Sequence, residues 1–406
     1  MTKIQRKIAS AVATAAMLLN LASPAAVFAS VSCTITGNGS DTSNTCDFAA
    51  LRDVSVDQSN DADVDNDIDV EATTGDNQAD DNTGGKTEID TGDSDVHVNL
   101  ETAVNTNAAS VGETGTSHDM DLTIDGNGTD SDNEIEVDVT DKVSIDQDND
   151  ADVDNDVDVD AATGHNDADD NTGGDVSIDT GNADVVVSTT TSANANSAYV
   201  GGGDHAGDLD IMIVGNGSDS DNDVSFALLS DVDVDQDNDA DVDNDVDADA
   251  KTGHNDAEDN TAGEVSVDTG NADVDVTLDT MVNFNSADAS VAVLGDVMLK
   301  IGENGTESDN ELEIDLTDKL DVDQDNDADV DNDADVDAKT GKNDANDNTE
   351  GSDGDPAIDT GDADSMVEVS TSGNANVFGD DLGVELDVDF TELLSLLSAL
   401  SSLLGL

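Results

Sequence analysis

The sequence predicts an all-β fold: a repetitive β-solenoid-like stack of four repeats of about 89 residues, followed by a short C-terminal amphipathic helix. Three observations predict the stack. A long stretch alternates strictly between inward-type residues and carboxylates, the stretch recurs four times at a nearly constant spacing, and turn-forming residues separate the alternating segments. A period of two places the two sets of side chains on opposite faces of a β-strand, whereas an α-helix would mix them around its circumference.

The alternation is clearest in residues 133–161. The odd positions there are mostly Val, Ile, Ala, Asn and Gln, and the even positions include eight consecutive aspartates from Asp146 to Asp160. A single strand of this length would extend about 95 Å at ~3.3 Å per residue. We therefore expect the chain to bend within the stretch and to coil into successive rungs.

The recurrence predicts how the repeats align. Near-identical copies of the stretch begin at Gln58, Gln147, Gln236 and Gln324. If equivalent residues of successive rungs lie side by side, their inward amides stack into ladders and satisfy one another's hydrogen bonds. Such ladders would explain the inward amides of Gln147, Asn149 and Asn155, which are costly to bury without partners.

Turn signals divide each repeat into shorter segments. Each repeat opens with an Asn-Gly pair that we interpret as the turn of a β-hairpin, because such turns require positive φ angles. The four pairs begin at Asn38, Asn127, Asn216 and Asn304. A Ser or Thr follows each pair and completes a glycosylation sequon, although turn formation explains the pair without a sugar. Thr-Gly turns follow the alternating stretches, and each repeat closes on paired asparagines such as Asn194 and Asn196.

The two cysteines flank the first Asn-Gly pair. In the next repeat, Leu122 and Ile135 occupy the positions of Cys33 and Cys46. Two inward positions that face each other across a turn predict a disulfide in a secreted protein, and two free buried thiols are the alternative. The disulfide would staple the first layer of the stack, which no preceding repeat covers.

The N-terminus predicts secretion. Lys3, Arg6 and Lys7 precede an apolar, Ala-rich run, and Ala29 ends a small-residue cleavage site. We therefore expect a signal peptide and an extracellular or cell-surface location, with no membrane span after cleavage. The expected segments are a signal peptide at 1–29, repeats at 30–118, 119–207, 208–295 and 296–389, and a helical cap at 390–406.

The tail differs in kind from the repeats. Its leucines fall on one helical stripe, and Thr391 is suited to cap the N-terminus of the helix. The stripe consists of Leu393, Leu396, Leu397, Leu400, Leu403 and Leu404. A helix over 390–406 is too short to cross a bilayer. We expect it to cap the last rung, or to join the chain to copies of itself or to other surface proteins.

Charge narrows the possible partners. The chain has 99 acidic and 11 basic residues, a formal net charge of −88 and 2% aromatic residues. Nucleic acid is excluded as a partner because phosphate binding requires Lys and Arg, and cations or basic partners are favoured. A disordered polyanion has a similar composition, but disorder gives no reason for strict alternation. No nucleophile with a paired base is visible, so we do not expect an enzyme.

The aspartate rows are the candidate site. Closely spaced carboxylates repel one another, and Ca²⁺ is the natural counterion because it takes six to eight oxygen ligands. The predicted metal ligands are Asp146, Asp148, Asp150, Asp152, Asp154, Asp156, Asp158, Asp235, Asp237, Asp239, Asp241 and Asp243. An EF-hand is not expected, because Ala151 and Val157 stand where its glycine and glutamate belong. Screening by Na⁺ or K⁺ at high concentration is the alternative.

The pattern Gln-x-Asn-x-Ala-x-Val-x-Asn, followed by a glycine turn and Asn-x-Ala, resembles the secreted Asn/Gln/Gly-rich repeat proteins of bacterial surfaces, of which the curlin subunits are the best-known example in style. The resemblance covers the four repeats and not the tail. It implies a β-solenoid, an extracellular location and a role in a fibre or surface coat. Curlin repeats are much shorter and are not lined with aspartate, so only the architecture carries over.

Together these features predict a secreted structural repeat protein of a cell surface, fibre or matrix, with acidic faces that bind cations. One alternative is an adhesin or a mineral-binding Asp-rich protein, although no non-repeating tip domain is visible. Another is a disordered extracellular polyanion or a halophilic coat protein. These alternatives differ in whether the aspartate rows order around specific ions, a mineral surface or bulk salt.

Overall fold

The computed structural model shows an all-β chain. It describes residues 7–10, 19–20, 31–112, 119–201, 208–261, 263–291, 296–349 and 356–379, and in 7–10 and 19–20 it describes the backbone alone. These residues form eighteen strands, and no helix is present among them. The helix predicted at 390–406 lies outside the described residues.

Each repeat contributes four strands of characteristic length. The first repeat contains β3 (Val31–Thr36), β4 (Ser43–Gly75), β5 (Thr87–Thr91) and β6 (Ser94–Val111). The second contains β7 (Met120–Asp125), β8 (Asp132–Gly164), β9 (Val176–Thr180) and β10 (Ala183–Val200). The third contains β11 (Leu209–Val214), β12 (Asp221–Gly253), β13 (Val265–Thr269) and β14 (Ala272–Ala289). The fourth contains β15 (Val297–Gly302), β16 (Asp309–Lys339), β17 (Ala357–Thr360) and β18 (Ala363–Phe378).

The strands form four parallel sheets, and each sheet takes one strand from every repeat. The longest strands follow the order β16-β12-β8-β4, and the other three classes of strand are arranged in the same way. Two short strands, β1 (Lys7–Ser10) and β2 (Leu19–Asn20), extend the β6 sheet and lie within the predicted signal peptide. One repeat therefore makes one complete rung of a solenoid, which confirms the predicted repeat architecture.

The long stretch does not bend. β8 runs for 33 residues without interruption, so the prediction that residues 133–161 coil into several rungs is wrong. The chain would have to bend only if the extended strand had no partners for its backbone hydrogen bonds. Instead β4 and β12 flank β8 along its whole length and satisfy its backbone hydrogen bonds from both sides. The alternation in the sequence identified the strand and its two faces correctly. It did not indicate how far the partner strands extend.

Two layers enclose the core. The sheet of long strands faces the β6 sheet over most of its length and the β3 sheet at one end, with the facing strands running in opposite directions. Across the layers, the Ser94 hydroxyl donates to the carbonyl of Ala72 at 2.8 Å, and the Asn66 amide donates to Thr102 Oγ1 at 3.2 Å. Between the layers, aliphatic side chains such as Val157 are fully buried. The outward side chains of the long strands are mostly carboxylates.

The Asn-Gly segments connect the layers instead of forming hairpins. β3 and β4 belong to different sheets and do not pair with each other, so the predicted hairpin is wrong and the connection is a β-arch. The positive φ angles lie at Gly37 (71°) and Asp41 (59°), on either side of the Asn-Gly pair. The asparagines of the second and third arches, Asn127 and Asn216, are buried and donate into the core. Their side chains therefore serve the fold, in a connection other than the predicted hairpin turn.

The predicted disulfide is present. Cys33 of β3 and Cys46 of β4 are bonded, with their Cα atoms 6.4 Å apart. The bond links the two layers at the first arch. It takes the place of the apolar contact that Leu122 and Ile135 make in the following rung, within the same core cluster.

The predicted amide ladders are also present. Gln147, Asn149 and Asn155 have no exposed surface, and each bonds to its equivalents in the neighbouring rungs. The Gln147 amide donates to Gln58 Oε1 at 2.7 Å, and the Asn155 amide donates to Asn244 Oδ1 at 2.6 Å. These bonds repeat from rung to rung, so burial leaves the ladder amides satisfied.

One class of asparagine serves a different purpose. Asn105, Asn194, Asn283 and Asn374 adopt φ angles between 56° and 62° and are left out of the strand pairing. Each therefore makes a left-handed kink that all four neighbouring strands share, and the kink turns an extra side chain into the core without changing the register. Asn194 uses its amide to bond to the backbone carbonyl of Asp239 in the opposite layer. Asparagine suits this position because it tolerates the left-handed region better than other non-glycine residues.

We predict that Asn155→Leu lowers the free energy of unfolding by about 3 kcal/mol. Leucine has the same branched shape, but it removes the acceptor of the half-buried Asn66 amide and the donor to the buried oxygen of Asn244. Urea denaturation followed by circular dichroism measures the change. Asp154→Asn, one residue away on the outer face, is the matched control and should not lower stability. Equal stability of the two variants would contradict the ladder.

A second prediction concerns the glycine at the end of the long strand. Gly164 has a φ of 111°, and a Cβ atom there would lie 1.9 Å from the carbonyl oxygen of Gly253 in the next rung. Gly164→Ala should therefore cost about 3 kcal/mol or more, from the left-handed backbone and from the displaced rung. Gly84→Ala is the control, because Gly84 has a φ of 75° and nothing within 4 Å of the added atom. The same denaturation experiment should show a clearly smaller loss for the control, and equal losses would contradict close rung contact.

Candidate cation-binding surface

The outward carboxylates of the long strands form a regular grid. In-register pairing aligns each outward aspartate with its equivalents, as Asp63, Asp152, Asp241 and Asp329 show. The acidic grid consists of eight such columns, from the column of Asp146 to the column of Asp160, and every position in it is a carboxylate except Ser59. All twelve predicted metal ligands belong to this grid, and all are exposed on one face of β8 and β12.

The spacing of the grid follows from sheet geometry. Outward residues repeat about every 6.6 Å along a strand, and neighbouring strands lie about 4.8 Å apart. Two carboxylates at that shorter distance repel by about 1 kcal/mol in water and by more near a low-dielectric surface. Because the columns continue through all four rungs, every grid carboxylate of the two middle rungs except Asp148 has two such neighbours. The grid therefore opposes the pairing that creates it.

The pKa values of the central aspartates reflect this crowding. Partial burial, followed by repulsion from Asp237 and the flanking aspartates, raises the pKa of Asp148 above its ordinary value of 3.8. Burial and then repulsion from Asp150 and Asp327 likewise raise the pKa of Asp239. The same two causes raise the pKa of Asp158, Asp235, Asp237 and Asp243. The surface therefore disfavours its own full ionisation.

Basic side chains reach the grid at one end. Lys251 pairs with Asp160 at 3.5 Å and also contacts Asp249, and Lys339 contacts Asp337. These three carboxylates belong to the last column. Along the other columns of the grid, no lysine or arginine of the described residues forms an ion pair. The described residues therefore supply no positive side chain to the greater part of the grid.

A second acidic column was missed by the sequence reasoning. Asp95, Asp184, Asp273 and Asp364 align at the start of the β6 sheet and line a groove of about 500 Å³ together with His97 and Asp275. Burial, a shared hydrogen bond with Asp95 and repulsion from Asp95 and Asp273 raise the pKa of Asp184 to about 6. The sequence held the signal, because an aspartate directly follows each of the Thr-Gly-x-x segments that begin at Thr91, Thr180, Thr269 and Thr360. It stood out less than the long aspartate runs.

A third group lies in the connection after the long strand. Burial, a hydrogen bond with Asp169 and repulsion from that residue raise the pKa of Asp167 to about 6. Nearby, the rings of His165 and His254 stack with their centroids 4.8 Å apart. Burial and the neighbouring His165 lower the pKa of His254. The two rings stack at equivalent turn positions, so these histidines act in packing between rungs.

The carboxylates form rows and do not converge. Among the residues that the structure describes, no three His, Cys, Asp or Glu side chains come together as a ready-made metal site. A cation on the grid would have to bridge carboxylates of adjacent strands. For the same residues, no helix is long and apolar enough to cross a membrane. Comparison with protein-family models, with curated proteins and with solved structures finds no match to this chain.

The raised pKa values predict how stability depends on pH. A group whose pKa is higher in the folded chain than in the unfolded chain binds more protons when folded, so stability falls as pH rises through the two values. For Asp184 and Asp167 that window runs from 3.8 to about 6. In EDTA, the melting temperature should therefore increase by several degrees as pH is lowered from 7 to about 4.5.

The variant Asp184→Asn should flatten this pH dependence, because it removes a carboxyl group whose pKa is raised in the folded chain. Asp41→Asn, in the exposed first arch, is the matched control and should leave the slope unchanged. Melting curves recorded by circular dichroism across this pH range measure both. A melting temperature that drops steadily between pH 7 and pH 5 would contradict the repulsive surface.

Proposed function

We propose that this chain is a secreted, non-enzymatic structural protein of a cell surface, fibre or matrix, and that cations on the acidic grid stabilise its stack. The observation that carries the proposal is the register. Identical carboxylates of successive rungs lie side by side over eight columns, and few ammonium groups are available to neutralise them. A protein that places its charges this way is stable only where positive ions are supplied from solution.

Calcium is the proposed ion. It is a hard cation that accepts many carboxylate oxygens with flexible geometry. Flexible geometry suits ligands that are arranged in rows, because no fixed cage is required. Carboxylates of adjacent strands, such as Asp148 with Asp237 and Asp150 with Asp239, are the candidate ligands. Each ion shared between two rungs would replace a repulsion by an attraction. The cation would thereby act as a clamp between repeats.

The extended form of the molecule supports a structural role. Each rung is two layers thick, and its core consists of small aliphatic residues and amide ladders that repeat with little variation. The large groove described above is lined by carboxylates and opens to solvent. No nucleophile with a partnered base accompanies it among the described residues. We therefore propose that the repetition itself, rather than one site, is functional.

The test is far-UV circular dichroism of residues 30–406, starting in EDTA at low salt. We predict that β signal and melting temperature increase on titration with Ca²⁺ at micromolar to low millimolar concentration. NaCl at matched ionic strength is the control. If molar NaCl has the same effect, the acidity is an adaptation to salt. Absence of β signal under every condition would leave a disordered polyanion.

A matched pair of triple variants locates the effect. Asp148→Asn, Asp237→Asn and Asp239→Asn together remove adjacent charges from the centre of the grid. Asp41→Asn, Asp170→Asn and Asp347→Asn remove the same charge from separate turns, at positive φ angles that asparagine tolerates. The grid variant should lose most of its response to Ca²⁺ and should gain stability in EDTA, whereas the turn variant should respond like the natural chain. Equal responses would contradict binding at the grid.

A further inference from the structure

The two ends of the solenoid are unlike its interior. Inward side chains that are fully buried in the middle rungs are exposed in the fourth. Leu312, Ile314 and Leu316 are 45%, 50% and 57% exposed, whereas their equivalents Val224 and Phe226 in the third rung are 0% and 1% exposed. The outer edge of β16 has no partner strand among the described residues. An open edge of this length, with apolar residues on its inner face, favours pairing with another strand.

The amide ladders give the two ends a direction. Every ladder asparagine donates towards the higher-numbered rung, as Asn66 does to Asn155, Asn155 to Asn244 and Asn244 to Asn332. The glutamine ladder runs the opposite way: Gln324 donates to Gln236, and Gln236 donates to Gln147. A ladder that runs one way ends with an acceptor at one end of the stack and a donor at the other.

The end groups are therefore complementary. At the first rung, Asn60 Oδ1 and Asn66 Oδ1 receive no hydrogen bond from the residues that the structure describes. At the fourth rung, Asn326 and Asn332 each donate one side-chain hydrogen bond within their own rung, to Asn376 and Thr371. The second amide hydrogen of Asn326 and that of Asn332 have no acceptor in a following rung among the described residues. Fourth-rung donors can thus meet first-rung acceptors, whereas two fourth rungs would present donor to donor.

We propose that copies of this chain stack head to tail, with the fourth rung of one copy pairing in register with the first rung of the next. The proposal rests on the structural role proposed above and names its partner, a second copy. In the contact, Gln324, Val330 and Asn332 would meet Gln58, Val64 and Asn66. These are the identities that already pair between adjacent rungs inside the chain.

The contact would be heterologous and would not close. Because each added copy presents the same open fourth rung, stacking continues into a linear filament. Four rungs at about 4.8 Å each give a rise of about 19 Å per copy. The acidic grid would continue across each junction, so the proposed cations would be needed there as well. The strands β1 and β2 pair with the first-rung edge of β6, so we expect the copy that stacks to be the chain without residues 1–29.

Two variants test the contact from its two sides. Val64 and Val330 are the terminal members of one inward column, Val64–Val153–Val242–Val330, and both are half-buried at the ends of the stack. Val330→Arg blocks the fourth rung, and Val64→Arg blocks the first. Thr317→Arg is the matched control, because it places the same side chain on the outer face of β16 but outside the acidic grid.

Residues 30–406 in Ca²⁺ should form filaments visible by negative-stain electron microscopy, as should Thr317→Arg. Each of Val64→Arg and Val330→Arg alone should sediment as a monomer, with a β signal like that of the natural chain. An equimolar mixture of the two should give dimers, because one supplies an open first rung and the other an open fourth rung. Dimers can form only if the open ends of both variants are folded, so their appearance also shows that both variants fold.

Three results would overturn the proposal. The natural chain could remain monomeric in Ca²⁺ while its β signal is intact, a result that would leave the cation proposal standing. The two end variants could still form filaments, or their mixture could give no dimers. If the chain assembles only after it is cut behind Gly379, the C-terminal tail, and not a second copy, is what covers the open edge in the intact chain. Filaments that form equally well in EDTA would support the stacking and would count against the cation proposal.

Discussion

The structure depends on one constraint: each residue pairs with its own equivalent in the neighbouring rung. In-register parallel pairing places like beside like, so every property of a position is repeated four times along the stack. For inward amides the result is stabilising, because an amide is both donor and acceptor and a column of identical amides bonds to itself. For outward aspartates the result is destabilising, because identical charges lie about 4.8 Å apart. The same register therefore creates the strongest attraction and the strongest repulsion in the molecule.

The special backbone positions follow the same rule. The long strands of the first three rungs need a glycine at their end, because a side chain on Gly75, Gly164 or Gly253 would strike the carbonyl of the next rung, whereas Gly341 in the fourth rung shares only the positive φ angle. The kink asparagines Asn105, Asn194, Asn283 and Asn374 keep a left-handed conformation in every copy, because a single rung without the kink would shift the pairing of everything after it. A narrow core of Val, Ala and amides suits such a stack, since small residues that repeat without variation pack in the same way at each level. The charged face opposes this stack, and the cations proposed above would offset its repulsion.

Much of this fold could be predicted from the sequence, and the failures have a common cause. The period of two identified strands and faces, and the spacing of Gln58, Gln147 and Gln236 predicted the rungs, the ladders and the disulfide position. Local reasoning failed where the answer depended on which strands pair. It made residues 133–161 bend, and it made the Asn-Gly segments hairpins, although both outcomes were decided by partners a whole repeat away. For the candidate surface, parity placed every predicted aspartate on the outer face, but the column of Asp184 could be found only by aligning weaker repeats across the chain.

The central claim is that one repeat forms one rung with an unbroken long strand, and a distance measurement tests it most directly. Spin labels at Asp138→Cys and Asp158→Cys, both on the outer face of β8, can be measured by pulsed electron resonance while the native disulfide stays oxidised. A single strand predicts a separation of about 65 Å over these twenty residues at ~3.3 Å per residue. A separation below about 40 Å would show that the stretch folds back on itself, and it would contradict the register on which the ladders, the acidic grid and the proposed stacking all depend.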